Sequence, residues 1–214
     1  MTTKYQRYLA RKREKGEKKE TKTRSGTWMP KDMEMALALS SPIHECLVPD
    51  TLFEQGMGNL FFSRRMPDGR IALGMFLLDI FCLGVKDAGF RIVEKYEYDG
   101  RIRNSFGPEK LQPIDPTCFR KLVEGGVAYA SELGFKPHAD YAEACQIFGD
   151  VQAAECTKQF EYGREGKPLY ISGPFEKPAR AKAIVEQLRR CKGEGNYHYV
   201  MGVDDLSEMD DMDG

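Results

Sequence analysis

The sequence predicts an α+β domain on a mostly antiparallel sheet with helices on one face, flanked by a basic N-terminal arm and an acidic C-terminal tail. Three observations carry this expectation. Turn chemistry joins candidate strands into hairpins, capped segments with helical periodicity follow them, and charge segregates to the two ends.

Tyr5 to Lys19 has helix-forming composition, but Tyr5, Tyr8 and Leu9 are its only apolar stripe. That predicts a solvated helix or a disordered arm. Ser25-Gly26 reads as a joint, and Pro30 suits the start of a helix carrying Met33, Met35, Leu37 and Leu39. Ile43 to Val48 and Gly58 to Met66 read as strands. Pro67-Asp68-Gly69 is a turn, because Pro sets φ and Gly accepts positive φ. Arg70 to Val85 is too long for one strand, which predicts a bend near Gly74 or Gly84.

Asp115 and Pro116 form a helix start, and Phe119, Leu122, Val123, Val127, Ala130 and Leu133 recur at helical spacing up to Gly134. Asp140 opens a shorter helix through Ile147, stopped by Gly149. Thr157–Tyr162 and Leu169–Ser172 read as a second hairpin around the loop from Gly163 to Pro168. Lys177 to Arg190 is a helix with Ile184, Val185 and Leu188 inward, and Asn196 to Met201 alternates like a final strand. Helices between residues 86 and 150 are expected to cover one sheet face. The expected domains are an arm at 1–25, a single α+β domain at 26–203 and a tail at 204–214.

The chain has 214 residues, 41% hydrophobic and 30% charged, so its core needs no disulfide or metal to hold it. The formal net charge of −1 conceals +7 in residues 1–25 and −6 in residues 204–214. No run approaches the roughly 18 apolar residues of a membrane span, and no apolar segment follows the basic start as in a secretory signal. Six scattered cysteines without a C-x-x-C pair are expected to be reduced thiols in a cytoplasmic protein.

Four segments carry a resemblance: residues 76–90 (FLLDIFCLGVKDAGF), 126–141 (GVAYASELGFKPHADY), 163–174 (GREGKPLYISGP) and 195–202 (GNYHYVMG). Together they resemble a family of uncharacterised bacterial proteins of similar size, over residues 43–202. The resemblance implies a soluble bacterial domain and no particular chemistry.

The richest functional signal is the basic run of Lys4, Arg7, Arg11, Lys12, Arg13, Lys15, Lys18, Lys19, Lys22 and Arg24, with Tyr5 and Tyr8 interleaved. Such an arm binds phosphates through counterion release and stacks bases on its aromatics. It predicts association with RNA, the ribosome or DNA, with no cofactor required, and Arg64, Arg65 and Arg70 around the first turn as further contacts. An acidic protein partner, or the acidic tail itself, is the alternative occupant.

Asp79 is the sharpest anomaly, a carboxylate inside Phe76–Leu83. With Asp87 it forms the candidate metal pair of a hydrolase using Mg or Mn, with Lys86 steadying a phosphate. The bland alternative is a solvated edge, or pairing with Lys86 or an arginine. His44-Glu45-Cys46 has the composition of a partial metal site, and Cys82 with His44 or His138 that of a nucleophile and base. An alternating strand explains the first more simply. Gly56-Met-Gly58 and Gly163 to Lys167 lack phosphate-loop spacing and read as turns.

Overall fold

Pro67-Asp68-Gly69 closes the central hairpin, with Gly69 at φ +87° and Asp68 Oδ1 accepting from the Arg70 amide at 3.1 Å. The computed structural model describes residues 31–104, 110–174 and 176–201. It comprises two units, Met1–Met35 and Ala36–Gly214. The predicted arm and tail lie outside the described residues, as does the expected helix from Tyr5 to Lys19.

Five strands, β1 (Ile43–Pro49), β2 (Met57–Arg65), β3 (Ile71–Asp79), β4 (Gly84–Val93) and β5 (Leu111–Pro113), form an antiparallel sheet in the order β4-β3-β2-β1-β5. β2 and β3 pair from Met57 opposite Asp79 to Arg65 opposite Ile71. The two-residue period sends Leu60, Phe62, Phe76 and Leu78 to one face and Phe61, Ile71 and Leu73 to the other.

Helix α1 (Lys31–Ser40) starts after Pro30, and its Leu37 and Ala38 join the main core. A single turn, α2 (Leu52–Gln55), links β1 to β2. The fold is α+β. The principal helical layer holds α4 (Pro116–Glu132), whose cap is the predicted one: Asp115 Oδ1 accepts from the Thr117 amide at 2.9 Å. Phe119 packs edge-on to Phe62 and Phe76. A short helix α5 (Tyr141–Ala144) runs into a 3-10 turn (Cys145–Phe148) that closes this layer. An additional helix, α3 (Lys95–Asn104), covers one end of the opposite face through Tyr98 and Ile102. A third apolar cluster joins α6 (Pro178–Lys192) and Tyr170 to Cys82, Leu83 and Leu133.

Three expectations are corrected. First, residues 86–93 are not helical: Lys86 and Asp87 sit inside β4 rather than past a strand end. The pairing skips from Leu77 opposite Asp87 to Leu78 opposite Val85, leaving Lys86 as the extra residue of a bulge. That bulge breaks the alternation that would have marked the strand.

Second, residues 157–162 form no strand. The Gly163 amide donates to Ile80 O at 2.9 Å and the Leu169 amide to Phe81 O at 3.1 Å, so this segment hangs on the turn between β3 and β4. β6 (Leu169–Ile171) pairs instead with β7 (His198–Val200), in parallel.

Third, Cys118 and Cys156 form a disulfide, so the cysteines are not all free thiols, which was the basis of the cytoplasmic expectation. The bridge joins the first turn of α4 to the end of a 3-10 turn (Ala153–Glu155), where Lys121 Nζ also donates to Cys156 O at 2.9 Å. Alkylation of the unfolded, unreduced chain is expected to label Cys46, Cys82, Cys145 and Cys191 and to leave one peptide linking Cys118 to Cys156. Labelling of all six would refute the bridge. Among the described residues no helix is long and apolar enough to cross a membrane.

Candidate functional site

The site is built outward from Asp79. β3 ends there, and Asp79 Oδ1 accepts from the Phe81 and Cys82 amides at 2.9 Å each. This closes the tight turn that leads into β4. Gly84 completes it at φ +65°, where a Cβ would stand 2.8 Å from Gly126 O. Only glycine fits that combination of backbone sign and contact with α4.

Asp79 is 6% exposed. Burial pushes its carboxyl above the ordinary range, against the opposing pull of the Cys82 amide, the Lys86 charge and the Phe81 and Leu83 amides. The carboxylate is therefore a turn clasp. Asp87, the other half of the proposed metal pair, is 69% exposed along its side chain and lies opposite Leu77, whereas Asp79 lies opposite Gly84. Among the described residues no group of three or more His, Cys, Asp or Glu is placed to hold a metal.

The bulge has a second effect. In a regular strand Val85 and Lys86 would point to opposite faces. Here both line one cavity of about 250 Å³ beside the β3–β4 turn. Leu83, Val85, Phe135 and Ile184 supply its apolar walls, and Lys86, Lys136, His138 and Arg180 its polar groups. Four parts of the chain converge: the turn, β4, the loop after α4 and the first half of α6. The loop is tied to the strand by the His138 amide, which donates to Val85 O at 2.9 Å.

His138 Nδ1 accepts from the Asp140 amide at 3.3 Å and lies 3.8 Å from Asp87 Oδ1 and 3.9 Å from Asp140 Oδ2. The neutral ring therefore carries its proton on Nε2. Arg180 Nε meets Glu176 Oε1 at 3.1 Å. Glu176 is itself held by the Tyr170 hydroxyl, which donates to Oε2 at 2.8 Å. Neither Lys86 nor Lys136 forms an ion pair with a carboxylate among the described residues. Among the described residues the cavity thus gathers three cationic side chains, of which Arg180 pairs with Glu176, while the buried Asp79 acts on Lys86 through its field.

A larger cavity, of about 450 Å³, is lined by the next stretch of β4, from Asp87 to Arg91. Among the described residues, Asp87, Asp140 and Glu143 line it together with Arg91.

The remaining sequence candidates scatter. Arg64, expected to face nucleic acid, is 3% exposed. Its guanidinium donates to Ile147 O, Ser41 O and Phe148 O, each at 2.8 Å, so it is a staple between core segments. Arg70 is held by Asp68 at 2.7 Å. Arg65 is exposed at the end of β2. Lys4, Tyr5, Arg7, Tyr8, Arg11, Lys12, Arg13, Lys15, Lys18 and Lys19 lie outside the described residues.

Glu45 accepts from the Tyr98 hydroxyl at 2.7 Å, and burial pushes the Cys46 thiol up to about 12. Cys82 is wholly buried and its thiol is pushed up for the same reason, which removes it as a nucleophile. Lys136 and Arg180 went unread in the sequence, where each is one cation among many. Only the packing of α6 and the post-α4 loop against the turn brings them to Lys86. No protein family, curated protein or solved structure matches this chain.

Proposed function

We propose that this protein binds nucleic acid, seating a phosphate among Lys86, Lys136 and Arg180 while the basic run at residues 4–24 supplies sequence-independent attraction. The observation that carries the reading is the cationic cavity, where Lys86 and Lys136, which form no ion pair with a carboxylate among the described residues, meet Arg180 over apolar walls. Low-dielectric walls strengthen the attraction of such a cluster for an anion.

The test is the salt dependence of binding to labelled single-stranded RNA. Each phosphate contact on a single strand contributes roughly 0.7 to the slope of log K against log salt. Replacing Lys86 and Lys136 by glutamine is expected to make the slope shallower by about 0.7, the contribution of the one phosphate seated there. Deleting residues 1–25 is expected to remove a further ~4, with six of the ten cations on phosphates. Absence of RNA and DNA binding at low salt would overturn the reading.

Phosphoester hydrolysis is a second reading, favoured by His138 lying beside the cationic cavity with Asp87 and Asp140 on its Nδ1 side. It calls for cleavage of labelled RNA, assayed with and without Mg²⁺ or Mn²⁺, that is lost in His138→Gln and kept in Asp79→Asn. Intact RNA throughout would dismiss it.

A further inference from the structure

We infer that the Lys86–Lys136–Arg180 cavity takes a terminal phosphate monoester of a nucleic acid, not a phosphodiester inside the strand. This rests on the nucleic-acid reading above and narrows it to strand ends.

The first argument is size. Sites that enclose drug-sized ligands occupy roughly 300–1,000 Å³. At about 250 Å³ this cavity suits something smaller, one phosphate with its sugar. A strand passing through needs a groove that tracks several successive nucleotides, on the order of 4–16 in single-strand-binding folds.

The second argument is charge. An internal diester carries a single negative charge, whereas a monoester carries about 1.5 to 2 near neutral pH and has three terminal oxygens. Lys86, Lys136 and Arg180 present three cations; Glu176 offsets part of Arg180, and the buried Asp79 part of Lys86. Desolvating that many cations for a monoanion leaves charge unmatched, and a dianion matches it better. The neutral form of His138 adds an Nε2 donor to the same lining, because its Nδ1 is engaged by the Asp140 amide. Asp87 stands 3.8 Å from the Nδ1 side of that ring.

The third argument is preorganisation. Lys86 is placed by the bulge in β4, and the loop bearing Lys136 and His138 is tied to Val85. The backbone positions of these residues are set before any ligand arrives, so the ordering cost on binding is confined to the side chains. Phe135 and Ile184 then offer an apolar wall to the sugar of the end nucleotide.

The experiment uses the full chain and one short, internally labelled RNA in three forms: with a 5′-phosphate, with a 3′-phosphate, and with hydroxyls at both ends. One or both phosphorylated forms are expected to bind about tenfold tighter than the hydroxyl form, a difference of roughly 1.4 kcal/mol. The form preferred identifies the end. Lys136→Gln, at an exposed loop position, is expected to abolish the preference with unchanged melting, and Lys86→Gln to do the same. Equal binding of all three forms would overturn the inference and leave the proposed function standing. Calorimetry with ribose 5-phosphate separates the remaining cases. If it binds and no RNA or DNA does, the cavity is a monoester site and the nucleic-acid reading falls. If neither binds, both fall.

Discussion

Arg64→Ala is expected to lower the unfolding free energy by about 3–5 kcal/mol, from three buried carbonyls left unsatisfied at roughly 1–3 kcal/mol each, less the relieved cost of burying the guanidinium. The three sp² nitrogens of one planar fork reach three separate carbonyls: Ile147 O from Nε, Ser41 O from Nη1 and Phe148 O from Nη2. Asp150 Oδ1 adds a longer contact to Nη2 at 3.5 Å. The side chain thus binds the end of α1 and the 3-10 turn at 145–148 to the middle of the sheet. Alanine would leave these acceptors without their donor and open a void beside Phe62, whose ring lies under the guanidinium.

Arg64→Lys keeps the charge but cannot place three donors in one plane, so it should recover only part of the loss. Urea unfolding of the two variants tests this. Because the guanidinium is buried, Arg64→Lys should also leave the salt slope of nucleic-acid binding unchanged. An alanine variant within about 1 kcal/mol of wild type would refute the staple.

The second large effect is expected at Asp79. Asp79→Ala removes two charge-assisted hydrogen bonds to buried amides, at roughly 1.5–3 kcal/mol each, and relieves the cost of burying the carboxylate. The net expected loss is about 2–4 kcal/mol. Asp79→Asn retains an Oδ1 acceptor for the Phe81 and Cys82 amides and should lose less.

The pH dependence has a definite sign. Burial raises the folded-state value above the ordinary 3.8, so between the two values the folded chain holds a proton that the unfolded chain has released. Stability from this group therefore falls as pH rises through that window and recovers on acidification. The amide introduced by Asp79→Asn does not titrate. The difference between wild type and Asp79→Asn should shift toward wild type as pH drops from neutral toward the ordinary carboxyl range. A difference that is constant with pH would show that Asp79 is not desolvated in the folded state.

By itself, the sequence determined features written in neighbouring residues. The Pro67-Asp68-Gly69 hairpin, the Asp115–Pro116 helix start, the helix beginning after Pro30 and the burial of Asp79 all follow from local stereochemistry and apolar context. Local rules also singled out Lys86, although they placed it beyond a strand end.

Tertiary structure decided the rest. β4 was hidden because its bulge at Lys86 interrupts the two-residue period. The supposed second hairpin failed because the amides of Gly163 and Leu169 find acceptors on the β3–β4 turn instead of on each other's segments. Arg64 and Lys86 are both cations beside apolar residues. One is buried under three carbonyls and the other opens on a cavity, and that outcome depends on segments more than 20 residues away in the chain. The disulfide likewise joins cysteines 38 residues apart. Charge and periodicity are local properties, whereas solvent access and partner geometry are set by packing between distant elements, so the packed chain alone could assign these roles.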